Sequence, residues 1–215
     1  MMKLTGPWVK TKAPDTKPQL IMMRPIQRRA LGGEDPIKRL LPKLLPEFLE
    51  VVWPLLGHAI VSDPRNAWRF EFLLGDRLSF GAQNPAALRL PEDMLFAWAH
   101  AHPGVAPAFL AVVFPVLVNR DPQRGTNAFH PMTKRLIDEF GDREDVLRAI
   151  TRNMHTFGWS GSQEPYLAMY LEPFRGLANH PIGAVRRWAA RSMAQLEKMM
   201  SAAREQEDEQ NAVWE

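Results

Sequence analysis

An all-α fold of about four stacked helical hairpins is the architecture the sequence predicts, and three observations point to it. Beyond residue 36 apolar residues recur at helical spacing, no comparably long alternating run appears, and sharp turns repeat at one interval. The turns are Asp63-Pro64, His102-Pro103, Gly141-Asp142 and His180-Pro181, and their second members lie 39 residues apart each time. Helical-hairpin repeats have roughly this length. Proline after a helix end cannot continue the preceding ladder, yet its fixed φ suits the start of the next helix.

Residues 1–35 are rich in Pro, Lys and Arg without a sustained period, and read as an extended basic lead-in arm. No apolar run of roughly 7 to 15 residues follows the early charges, so the segment does not read as a secretory signal. The repeat domain spans 36–200. It opens with Ile37, Leu40, Leu41, Leu44, Leu45, Phe48, Leu49 and Val52, an amphipathic helical pattern. Before the four turns come LEVVWPLLGHAI, PEDMLFAWAHA, HPMTKRLIDEF and PYLAMYLEPFRGLAN; after them come NAWRFEFLLG, APAFLAVVFPVLV, REDVLRAITRNM and IGAVRRWAARSMAQLEKMM. The longest apolar stretch, Val105 to Val118, contains Pro107 and Pro115 and falls short of the roughly 20 residues needed to span a bilayer. It reads as a buried helix, and no membrane partner is expected. Residues 201–215 form an acidic helical tail, a plausible polar cap for the C-terminal end; no such cap is evident at the other end.

The chain of 215 residues is 46% hydrophobic and 24% charged, ordinary for a folded protein. Cysteine is absent, which excludes disulfides, thiol nucleophiles and Cys-ligated zinc and agrees with a cytoplasmic location. The net charge of +3 is unevenly placed: residues 1–43 carry ten Lys/Arg against three Asp/Glu, and residues 197–215 carry two against six.

The last unit, LEPFRGLANHPIGAVRRWAARSMAQL, resembles a HEAT motif: an apolar first helix containing proline, a turn closed by His180-Pro181, then Val185-Arg186 and an Ala-rich second helix. The first unit carries Trp68-Arg69 at a similar offset. The resemblance implies an α-solenoid. Residues 154–215 also resemble the C-terminal portion of large bacterial HEAT-like proteins, where a Phe-Gly-Trp-Ser-Gly-Ser-like loop precedes the final helical pair. That likeness implies a helical scaffold without assigned chemistry, and a chain shortened from a larger array.

Gly158-Trp159-Ser160-Gly161-Ser162 raises the question of a serine nucleophile. A hydrolase elbow needs a strand before the serine, a helix directly after it and glycine on both sides. Here Ser162 replaces the second glycine, Val146 to Met154 is helical in pattern, and Pro165 delays the next helix. The segment reads as a helix-to-helix loop in which Ser160 or Ser162 caps the following helix. Trp159 is either tucked under that loop or presented to a partner. With Tyr166 it is the candidate protein-binding pair.

No phosphate loop, dinucleotide fingerprint or His-Glu-x-x-His helix is present, so no metal or cofactor is expected. Arg187, Arg191 and Lys198 fall along one side of the last helix; with Arg24, Arg28 and Arg29 of the arm they are the candidate nucleic-acid-binding residues. HEAT-like helices line basic surfaces in alkylpurine DNA glycosylases, but their catalytic motif has no residue-by-residue match here. The expected function is therefore a non-enzymatic scaffold or protein-interaction module, with another protein as partner. A nucleic-acid-binding module is the alternative and a glycosylase-like enzyme a distant third. The sequence assigns no oligomeric state.

Overall fold

A computed structural model describes residues 36–75, 85–119, 121–122, 127–154 and 161–212, all within one compact unit, Asp35–Glu215. The helices are α1 (Pro36–Glu47), α2 (Leu49–Ser62), α3 (Trp68–Leu74), α4 (Glu92–Ala101), α5 (Ala106–Val113), α6 (Pro131–Phe140), α7 (Glu144–Met154), α8 (Glu164–Ala168), α9 (Leu171–Arg175) and α10 (Gly183–Ala212). Short 3-10 turns, Pro64–Asn66 and Ala86–Arg89, precede α3 and α4. Among the described residues there is no strand, only an isolated antiparallel bridge between Leu117 and Phe129. The fold is all-α. No described helix is long and apolar enough to cross a membrane.

Each of the four turn sites falls at a helix junction. Asp63 follows α2, His102 separates α4 from α5, Gly141 and Asp142 separate α6 from α7, and His180-Pro181 lies between α9 and α10. Gly141 is required by packing: a Cβ there would lie 2.4 Å from Val185 Cγ2 and 2.3 Å from the Ile137 carbonyl oxygen. Only a hydrogen lets α10 come that close to the end of α6.

Two helices are shorter than the sequence pattern suggests. α5 stops at Val113 because Pro115 disfavours helical geometry at the residue before it, and Phe114 is extended with φ −77° and ψ 143°. The carbonyls thereby released are satisfied from neighbouring helices: Asn153 Nδ2 donates to Phe114 O at 2.7 Å and Thr133 Oγ1 to Pro115 O at 2.8 Å. The helical pattern over PYLAMYLEPFRGLAN is split into α8 and α9, since Pro173 offers no N–H to the turn before it. α10, in contrast, runs 30 residues without a break and carries the acidic tail as far as Ala212.

Helix α3 packs on α5, α5 on α7 and α7 on α10, with α5 and α7 in the most extensive contact. Trp188 of α10 illustrates the packing. Its ring is 5% exposed, lies T-shaped on Phe174 with centroids 4.9 Å apart, and donates Nε1–H to Thr151 Oγ1 of α7 at 2.9 Å. Nearer the N-terminal end, Trp98 of α4 packs edge-on to Trp53 of α2 at 5.2 Å and to Phe109 of α5 at 6.1 Å.

Helices α4 and α6 meet through polar side chains. Arg135 of α6 reaches Glu92 at 2.9 Å and Asp93 at 3.1 Å on α4, while its guanidinium lies 4.1 Å from the Phe96 ring centroid. Asp138 and Glu139 sit in the last turn of α6, where a helix end disfavours negative charge. Each has basic partners: Lys134 and buried His180 for Asp138, Arg135 and His100 for Glu139. Burial opposes ionisation of both carboxyls, but those partners outweigh it and hold both below their ordinary values.

Candidate functional site

A groove of about 320 Å³ opens across α3, α5 and α7. Its floor is apolar, built from Ala67, Ala108, Phe109, Val112 and Ala149. On α5 the lining positions Val105, Ala108, Phe109 and Val112 follow the i, i+3, i+4, i+7 spacing of one helix face. On α7 the positions Asp145, Arg148, Ala149 and Arg152 do the same. Ala67, Ala108 and Ala149 recur at a constant interval of 41 residues, at the start of α3, on α5 and on α7. Three methyl side chains at matching positions leave the space between the helices unfilled.

Charged groups edge this floor. Glu71 of α3, whose side chain is 11% exposed, is joined by Arg152 of α7 at 3.2 Å. Arg148 is held by Glu144 at 2.8 Å, and Asp145 by Arg143 at 2.6 Å. The Arg143 guanidinium holds the Asp145 carboxyl below its ordinary value against the opposing effect of burial. Arg143 also donates to the carbonyl of Pro103, which ties the third turn to the second. The result is an apolar trough with paired acids and bases along its rim. No family model, curated protein or solved structure matches the chain.

The structure describes some of the residues singled out from sequence and not others. Trp159 and Ser160 lie outside the described residues, as do Arg24, Arg28 and Arg29. Tyr166 is half-buried on α8. Arg187, Arg191 and Lys198 are all exposed on α10, at spacings that put them along one side. Of the described ones, Tyr166, Arg187, Arg191 and Lys198 do not line the groove.

Around the Gly-Trp-Ser segment, α7 is helical up to Met154, and Gly161 takes the left-handed φ of +75° that glycine tolerates best. Ser162 Oγ accepts the amide of Glu164 at 3.3 Å, so Ser162 serves the start of α8. Among the described residues no group of three or more His, Asp or Glu side chains converges as a metal site would require.

Sequence reasoning missed the groove. Its signal was present as the evenly spaced alanines, each three or four residues from a larger lining residue on the same helix. Alanine is also the best helix former, so its presence in a helix does not by itself mark a gap.

Proposed function

We propose that this protein is a non-enzymatic α-solenoid of HEAT-like hairpins that binds another protein in the groove across α3, α5 and α7. The observation that carries the reading is the trough itself: a floor of alanines with Phe109 and Val112, bordered by the Glu71–Arg152 pair. Apolar floors with polar rims are the usual anatomy of protein-binding surfaces. The repeat reading is supported by where inter-hairpin contacts fall in the sequence. His100 and Glu139 are 39 residues apart, Arg143 and Pro103 are 40, Asp138 and His180 are 42, and Arg135 and Glu92 are 43. Stacked units of nearly constant length bring together residues about one unit apart.

The test is a photo-crosslinking residue at position 108 or 148, with a control at exposed Arg175 on α9. A specific protein captured from the groove positions, and lost when Ala67→Trp fills the trough without changing helix content, supports the reading. Equal capture at all three positions removes it.

Exposure of Arg187, Arg191 and Lys198 along α10 favours nucleic-acid binding as the second reading. Affinity for duplex DNA at two salt concentrations decides it, because binding through several phosphates weakens steeply with salt.

A further inference from the structure

The apolar pattern that opens the repeat domain has two faces. Leu41, Leu45 and Trp53 are buried in the body. Leu40, Leu44, Phe48, Val51 and Leu55 are 52%, 40%, 52%, 64% and 68% exposed. These five positions, at steps of three or four residues, form an exposed apolar row along α1 and α2 on both sides of the bend at Phe48. The chain bends between the two helices at Phe48, whose φ of −122° and ψ of 31° leave the helical region, but two hydrogen bonds bridge the bend: Phe48 N donates to Leu44 O at 2.9 Å, and Val52 N donates to Phe48 O at 2.8 Å. Isolated exposed leucines are normal on protein surfaces, whereas a contiguous row of large apolar side chains marks an interaction site.

We propose that this stripe pairs with the same stripe of a second copy of the chain, antiparallel about a two-fold axis near Phe48. The spacing is nearly its own reverse. An antiparallel copy sets Leu40 against Leu55, Leu44 against Val51, and Phe48 beside its own counterpart. An isologous interface requires such self-complementarity, with each residue's contact repeated by symmetry.

Charge selects the direction. Lys43, Glu47 and Glu50 are exposed and lie on one flank of the stripe at i, i+4 and i+7. In an antiparallel pair about a two-fold axis, like flanks face each other with their order reversed. Lys43 of one copy then lies level with the neighbourhood of Glu50 in the other, twice over. Glu47 is the exception: close to the axis, it meets its own counterpart, a like-charge contact that leaves a distinctive mark on the association. The surface is separate from the groove, so pairing does not depend on the proposed protein partner.

The experiment is sedimentation of the full chain over a range of concentrations, with helix content of every variant checked by circular dichroism. The wild-type chain is expected to sediment as a dimer, and Leu55→Glu, at an exposed position, to raise the dimer dissociation constant about tenfold or more without loss of helix. Lys43→Glu and Glu50→Lys are each expected to weaken the dimer, the double reversal to recover most of the loss, and Glu47→Gln to tighten it. Because the chain has no cysteine, Phe48→Cys gives a clean disulfide test, and oxidation should link two copies through that position. A monomer at all concentrations, or a dimer indifferent to Leu55→Glu, overturns the proposal. A dimer lost with Leu55→Glu but not recovered by the double reversal overturns the antiparallel arrangement.

Discussion

Replacing Trp188 separates ring packing from hydrogen bonding at the joint between α7 and α10. The ring is 5% exposed, packs on Phe174 at 4.9 Å and Phe129 at 6.3 Å, and donates to Thr151 Oγ1 at 2.9 Å. Trp188→Ala therefore removes nearly all of a large buried side chain, and the expected loss is about 3–5 kcal/mol. That is a large fraction of the roughly 5–15 kcal/mol that holds a typical domain folded. Trp188→Phe keeps an aromatic ring but no donor, and should cost about 1–2 kcal/mol. Thr151→Val leaves the indole N–H buried and unpaired, at a cost of about 1–3 kcal/mol. Combined with Trp188→Phe, Thr151→Val should cost clearly less than it does alone, because the donor it strands is already gone. Urea unfolding followed by far-ultraviolet circular dichroism measures all four variants. A loss below about 1 kcal/mol for Trp188→Ala with an unchanged urea slope, or full additivity of Trp188→Phe and Thr151→Val, would refute the assigned packing and hydrogen bond.

Three further outcomes are expected. Gly141→Ala should destabilise by about 1–3 kcal/mol or more, because its Cβ meets backbone as well as Val185; hydrogen exchange should show the loss concentrated where α6 and α10 meet. Stability should fall on acidification in two stages. Burial lowers the His130 value below 6.5 despite nearby Glu92, so its contribution is present above that pH and is lost as pH falls through the folded value. Asp138 and Glu139, held below 3.8 and 4.5, contribute above those values and lose their contribution as pH falls further. Thermal melts across the acid range should show the upper stage removed by His130→Gln and the lower one reduced by Asp138→Asn. Arg135→Met should cost about 1 kcal/mol in low salt and less in high salt, since its carboxylate partners are partly solvated.

The fold was legible where a residue's own backbone chemistry decides the outcome. Pro64, Pro103 and Pro181 cannot extend the preceding helix, and Gly141 admits a close approach, so the four turns could be read from single residues. Helix lengths were less legible where proline acts inside an apolar run. Pro115 ended α5 early and Pro173 divided α8 from α9, although hydropathy continued across both. The faces of α1 were not legible at all. Leu40 and Leu41 are equally apolar, and only the position of α3 and the turn at Ala86–Arg89 makes one outer and the other inner. The groove was hidden for a related reason: it is defined by missing volume at three alanines, and absent volume has no hydrophobic signal. The residues flagged for chemistry, Trp159 above all, were conspicuous by type, whereas the groove residues matter by alignment between units.

Contacts between residues about forty positions apart also bear on how the chain acquires its shape during synthesis. A ribosome adding roughly 5–20 residues per second takes seconds to deliver one hairpin, whereas helices form in about a microsecond. As each hairpin emerges, the residues it must touch have therefore already left the ribosome. His180 meets an Asp138 made 42 residues earlier, and Asn153 meets a Phe114 carbonyl made 39 residues earlier. Assembly can thus follow the order of translation, later helices closing on earlier ones without waiting for the far end of the chain.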